Sequence, residues 1–126
     1  MKTKKIEKLE IEGIIYVPET EAHIKLAGLN QEGLEPVLVR TYSAGVHFGY
    51  LKDKDGKEVT LINSRRVWYW DGAASLSQMA VDGVSKPKNC KFSVSVPKIT
   101  LTEAIEIIPL TEKARINLYS VWEWKK

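Results

Sequence analysis

Cysteine is almost missing from this chain. Cys90 stands alone among 126 residues, so no internal disulfide can staple the fold, and no Cys or His group has metal-ligand spacing such as a paired C-x-x-C. A reducing compartment fits that usage. Long apolar runs are missing too: nothing approaches the roughly 18 residues of a membrane span. The basic start MKTKKIEKLE is not followed by the apolar stretch of about 7 to 15 residues that a secretory signal needs. The expected location is therefore the cytoplasm, away from membranes. Nor is there an excess of acid. With 19 Lys and Arg against 16 Asp and Glu, the formal charge is +3, the wrong sign for a protein that copies a phosphate track and too small by itself to mark a nucleic-acid binder. The chain holds two His and no G-x-S-x-G elbow, phosphate loop or G-x-G-x-x-G. Covalent catalysis needs a nucleophile with a base in reach, and this stock points to a non-enzyme with no cofactor and no catalytic residue.

What is present is an ordinary globular balance, 44% apolar and 28% charged, in one-domain length. Residues 1–17 alternate apolar and charged side chains around Glu12-Gly13 and read as a β-hairpin. Residues 18–36, with several acids, Gly and Pro, read as a linker with at most a helical turn or two near Thr20 to Leu26. The charge changes sign there: residues 1–36 sum to −2 and residues 37–126 to +5. The second part is a β-rich domain with an inserted helix. Strands are expected near 37–42, 46–52, 57–62 and 65–70, with Asp55-Gly56 as the tight turn. A helix from about Gly72 to Asp82 should follow, capped by Asp71, ended by Gly83 and packed through Leu76, Met79 and Ala80. CKFSVSV and KITLTEAIEIIPL should be further strands, the latter as two strands or as one bent strand around Thr102-Glu103. The segment from Thr111 is a capped helix or, alternatively, a last strand. The fold class is mainly β within α+β: a small curved antiparallel sheet or an SH3- or Sm-like barrel.

The candidate ligand face comes from Arg65-Arg66-Val67-Trp68-Tyr69-Trp70. Period-2 alternation puts Arg66, Trp68 and Trp70 on one face. An indole stacks on a base and a guanidinium pairs with phosphate, so this face suits a nucleotide or single-stranded nucleic acid. The competing reading makes Trp68 and Trp70 core, with Arg66 as a cation–π lid. His47, on the face opposite Val46 and Phe48, joins the candidates. Lys91, in an acid-free run that also holds Lys86, Lys88 and Lys98, widens the positive surface beside Arg40, Arg65 and Arg66. Cys90 reads as a packed thiol. Trp122 and Trp124 either fold back on the domain or cover a neighbouring subunit, and a homodimer or higher oligomer is expected with them in the interface.

The combination RTYSAGVHFGYL, DGKEVTLINSRRVWYWDGAASLSQMAVDGVSKP, CKFSVSVPKITLTEAIEIIP and TEKA resembles a family of small phage and prophage proteins with no assigned activity, over about residues 36–115. The resemblance implies a genomic setting and no site residues. By analogy with other small phage proteins, the expected function is binding. The chain would counteract host defence by sequestering a nucleotide-type anion or nucleic acid, or else act as an interaction module that blocks a host protein.

Overall fold

The computed structural model describes residues 25–30 and 32–126. The hairpin expected at 1–17 and the helical turn expected from Thr20 fall outside them, apart from the turn's last residues. The described chain forms strands β1 (Glu35–Thr41), β2 (Val46–Asp55) and β3 (Glu58–Tyr69), helix α1 (Leu76–Asp82), a single 3-10 turn at Pro87–Asn89, strands β4 (Lys91–Phe92), β5 (Val96–Leu101) and β6 (Ala104–Pro109), and helix α2 (Glu112–Ser120). The sheet is antiparallel and has six strands in the order β4-β3-β2-β1-β6, with β5 also on β3. It is mainly β with two helices, as expected, but open rather than a closed barrel. Only Thr102 and Glu103 separate β5 from β6, yet these two strands share no ladder; β5 pairs with β3 and β6 with β1.

Two expected strands, 57–62 and 65–70, turn out to be one. β3 runs through Asn63, whose φ of 55° puts it in the left-handed region. Asn63 and Ser64 lie opposite Gly49 alone, since Phe48 pairs with Arg65 and Tyr50 with Ile62. Such a bulge bends a strand and changes its twist. The first half of β3 consequently pairs with β5 and the second half with β4. Gly49 is needed there, because a Cβ on it would lie 3.1 Å from the Ile62 carbonyl and from the Ser64 Cα.

The sheet is covered on both faces. Leu38, Phe48 and Val67 pack with Met79, Ala80, Phe92, Ala114 and Leu118 under the helices. Val37, Val39, Val59, Leu61, Leu101 and Ala104 form a second cluster. Val37, Leu38 and Val39 are therefore all fully buried, as a central strand between two cores requires.

Helix α1 starts four residues later than expected. Ser75, not Asp71, is the cap: its Oγ accepts from the Gln78 N–H at 3.1 Å, while the Ala74 N–H donates to Gln78 Oε1 at 2.7 Å. The reciprocal pair leaves Asp71 free for another task, accepting from Asn89 Nδ2 at 2.9 Å. Gly83 ends the helix as expected, at φ 77°. The last segment takes the helical alternative, with Thr111 capping α2 through Oγ1 and the same hydroxyl donating to the Val81 carbonyl at 2.6 Å. Asn117 on α2 grips Val84 twice, accepting from its N–H at 2.7 Å and donating to its carbonyl at 2.9 Å.

Candidate functional site

Arg65 departs most from the expected ligand face. It is buried, with 3% of its surface exposed, on the helix side of the sheet. Its Nε donates to the Ser93 carbonyl at 2.8 Å, Nη1 to the Val121 and Leu118 carbonyls at 2.7 and 3.4 Å, and Nη2 to the Trp122 and Phe92 carbonyls at 3.1 and 3.3 Å. Its guanidinium carbon lies 5.9 Å from the Phe48 ring centre and 5.7 Å from that of Phe92. Burial lowers its pKa, an effect that Glu123 opposes. With its donors aimed at main chain, Arg65 is a structural clamp.

Trp70 also leaves the face that alternation assigns it. β3 stops at Tyr69, its register against β4 shifts between Val67 and Tyr69, and beyond that point the alternation no longer holds. Trp70 packs against the helix-side core and its Nε1–H donates to the Ala73 carbonyl at 3.1 Å. Arg40 pairs with Glu106 at 3.1 Å across β1 and β6, and both side chains are half-exposed. Cys90 is buried, and that burial pushes its thiol up, away from the thiolate a nucleophile needs.

Trp68 stays outside, 61% exposed, and the chain brings a second indole to it. The Trp124 N–H donates to the Phe92 carbonyl at 2.8 Å, and Glu123 bridges Phe92 in parallel fashion. The segment after α2 thus runs beside β4. This sets Trp124 against Trp68, ring centres 6.2 Å apart and planes 19° from parallel. Trp124 is itself 41% exposed. Lys91 Nζ lies 5.4 Å from the Trp124 ring centre. Among the described residues no carboxylate pairs with Lys91; Glu123 nearby pairs with Lys125 at 3.8 Å and its Oε2 accepts from the Ser95 N–H at 3.3 Å. Trp122 is exposed and Tyr69 half-exposed. The result is a stacked aromatic surface with an ammonium on it.

Two residues back along β3, Arg66 stands opposite His47 and half-buried. Arg66, His47, Ser64, Ser93, Val96 and Ile99 line a cleft of about 210 Å³. His47 is 1% exposed. Its Nε2 lies 3.0 Å from the Ala44 carbonyl, an acceptor only, so that nitrogen carries the proton. Burial pushes the imidazole below its ordinary pKa, and the Arg66 charge adds to this against the Ala44 hydrogen bond. The ring is thus neutral at pH 7, with a lone pair on Nδ1. Ser64, which inspection of the sequence did not single out, is also 1% exposed. Its only signal was its parity with Arg66 on the same strand.

The described residues gather no group of three or more His, Cys, Asp or Glu able to hold a metal ion. None of their helices is long and apolar enough to cross a membrane. Fold and site together define a small, mainly antiparallel α+β domain with an exposed aromatic and cationic face. The chain belongs to the family described as a domain of unknown function, DUF6948, whose sequence model matches residues 34–118. No curated protein and no solved structure matches it.

Proposed function

We propose that this domain is a non-catalytic binding module that takes a phosphate-bearing nucleobase on Trp68 and Trp124, with Lys91 and Arg66 as the cations. The observation that carries this reading is the exposed indole stack with Lys91 over it. Indoles that are near-parallel and open to solvent offer a base a flat face, and base–aromatic stacking contributes about 1–3 kcal/mol per base with little sequence preference. An ammonium beside the stack adds attraction to phosphate. Trp124 lies outside the span matched by the family model, and Trp68 within it. The resemblance to small phage proteins supports a setting in a bacterial host's cytoplasm, where such a module counteracts defence by sequestering a nucleotide or nucleic acid.

Tryptophan quenching on titration with uridine 5′-monophosphate and with a ten-nucleotide thymidine strand tests this and separates a free nucleotide from a strand. Trp124→Ala and Lys91→Ala should each weaken binding at least tenfold, and raising salt should weaken it further for the strand. Unchanged affinity in both variants would sink the proposal. The alternative ending in which Trp122 and Trp124 cover a second subunit now falls mainly on Trp122, because Trp124 has an intramolecular partner. We further propose a homo-oligomer through Trp122, which Trp122→Ser should convert to monomer by light scattering; a wild-type mass of 14.3 kDa in solution would refute it.

A further inference from the structure

Two residues that line the cleft beneath Arg66 carry the only two buried side-chain polar atoms among the described residues that lack a hydrogen-bond partner, His47 Nδ1 and Ser64 Oγ. Buried polar groups are nearly always paired, and an unpaired one is costly, so two on residues lining one cleft need an account. Packing does not supply one. Ser64 sits at the bulge that Asn63 creates, and His47 is held from behind by Ala44. The chain spends a bulge and a buried imidazole to place an acceptor lone pair and a hydroxyl on two residues that line one cleft.

We propose that this cleft is a base-reading subsite, which takes the hydrogen-bonding edge of one nucleobase. The ligand class rests on the nucleotide reading of the aromatic face; the existence of a site rests on the cleft alone. His47 Nδ1 accepts an amino or imino N–H of the base. Ser64 Oγ–H donates to the neighbouring ring nitrogen or carbonyl, and Arg66 donates to a further carbonyl or to phosphate. Val96 and Ile99 give the ring an apolar wall. At about 210 Å³ the cleft is smaller than the roughly 300–1,000 Å³ of sites for drug-sized ligands, which suits one ring and not a whole nucleotide. Neither unpaired atom is open to solvent, so entry requires a side chain to move. Arg66, half-buried at the rim and long, is the lining residue able to swing outward. The division of labour follows: the indoles stack any base, and the cleft distinguishes one base from another. A site built to hydrogen-bond a ligand rejects an analogue that leaves its polar groups unpaired.

The test compares wild type, Ser64→Ala and Trp124→Ala in calorimetric titrations with the four ribonucleoside 5′-monophosphates, alongside thermal melts. The wild type should prefer one nucleotide at least tenfold. Ser64→Ala should lose that preference while its Tm holds or rises, since an unpaired hydroxyl has been removed. Trp124→Ala should weaken all four and keep their order. If Ser64→Ala fails to fold, Ser64→Cys, which keeps the volume and weakens the donor, should show the same loss of preference. Ser64→Ala binding as wild type does, with the same order, overturns the subsite and leaves the aromatic reading standing. If neither a monophosphate nor the ten-nucleotide strand binds wild type, the aromatic reading fails, and the four free nucleosides probe the cleft separately through the ¹⁵N shift of His47 Nδ1; no shift then overturns the subsite as well. A crystal structure grown with the preferred nucleotide that shows only an ordered water bridging Nδ1 and Oγ also overturns it.

Discussion

Replacing Arg65 with Met should lower stability by about 3 kcal/mol or more in urea unfolding. The argument turns on what Arg65 touches. A buried ion pair can often be exchanged for apolar side chains of similar volume, because both charges go together. Here the partners are five main-chain carbonyls, of Ser93, Phe92, Leu118, Val121 and Trp122, and no side-chain substitution removes them. Met would fill the space between Phe48 and Phe92 but leave the Ser93, Val121 and Trp122 oxygens without the guanidinium, while the Phe92 and Leu118 oxygens would keep only the Trp124 and Val121 N–H groups. Two of them lie at or just beyond the C-terminal end of α2, where the helix dipole favours a cation. Lys should rescue little, since one ammonium cannot reach carbonyls spread around a planar fork. Arg66→Ala, one residue away, should stay within about 0.5 kcal/mol of wild type. Equal effects at the two positions would refute the clamp.

Gly83→Ala should cost about 3 kcal/mol or more, a large effect for adding one methyl group. Gly83 has φ 77° and ψ −153°, a region open almost only to glycine. A Cβ there would also overlap the Asn117 side chain. Asn117 cannot retreat without giving up both of its bonds to Val84. Strain and lost hydrogen bonds therefore add at one place, where α1 meets α2. The double variant Gly83→Ala with Asn117→Ala should cost less than the sum of the two single changes, because the overlap with the Asn117 amide is gone and only the contact with its Cβ, at 2.7 Å, remains. Strict additivity in thermal melts would show that Asn117 is not the obstacle.

What could be read from the sequence was local. Asp55-Gly56 marks the β2–β3 hairpin because its chemistry is complete within neighbouring residues, although Asp55 ends β2 and the turn itself is Gly56-Lys57, with Gly56 at φ 61°. Thr111 announces α2 for the same reason. The bulge at Asn63 gives no such sign: it depends on Gly49 lying across from it. The site followed the same rule. Arg66 and Trp68 lie where alternation puts them, in the cleft and outside, while Trp70 is lost to the core once β3 ends. Trp124 meets Trp68 only because the segment after α2 returns to β4. Arg65 and Arg66 are neighbours with the same side chain, and only contacts 27 to 57 residues away make one a clamp and the other a rim. Ser64 became visible through the same long-range geometry.

The clamp also has a timetable. Arg65 is made 57 residues before Trp122, which at a synthesis rate of roughly 5–20 residues per second is about 3 to 11 s. Throughout that interval its guanidinium has no carbonyls from α2 or beyond to receive it and must stay hydrated. Closure of Phe48 and Phe92 over it is therefore deferred until Val121 and Trp122 have emerged. A nascent chain stalled before them would carry an open sheet with its central arginine wet, and chaperones that recognise exposed apolar strands would meet the protein in that form.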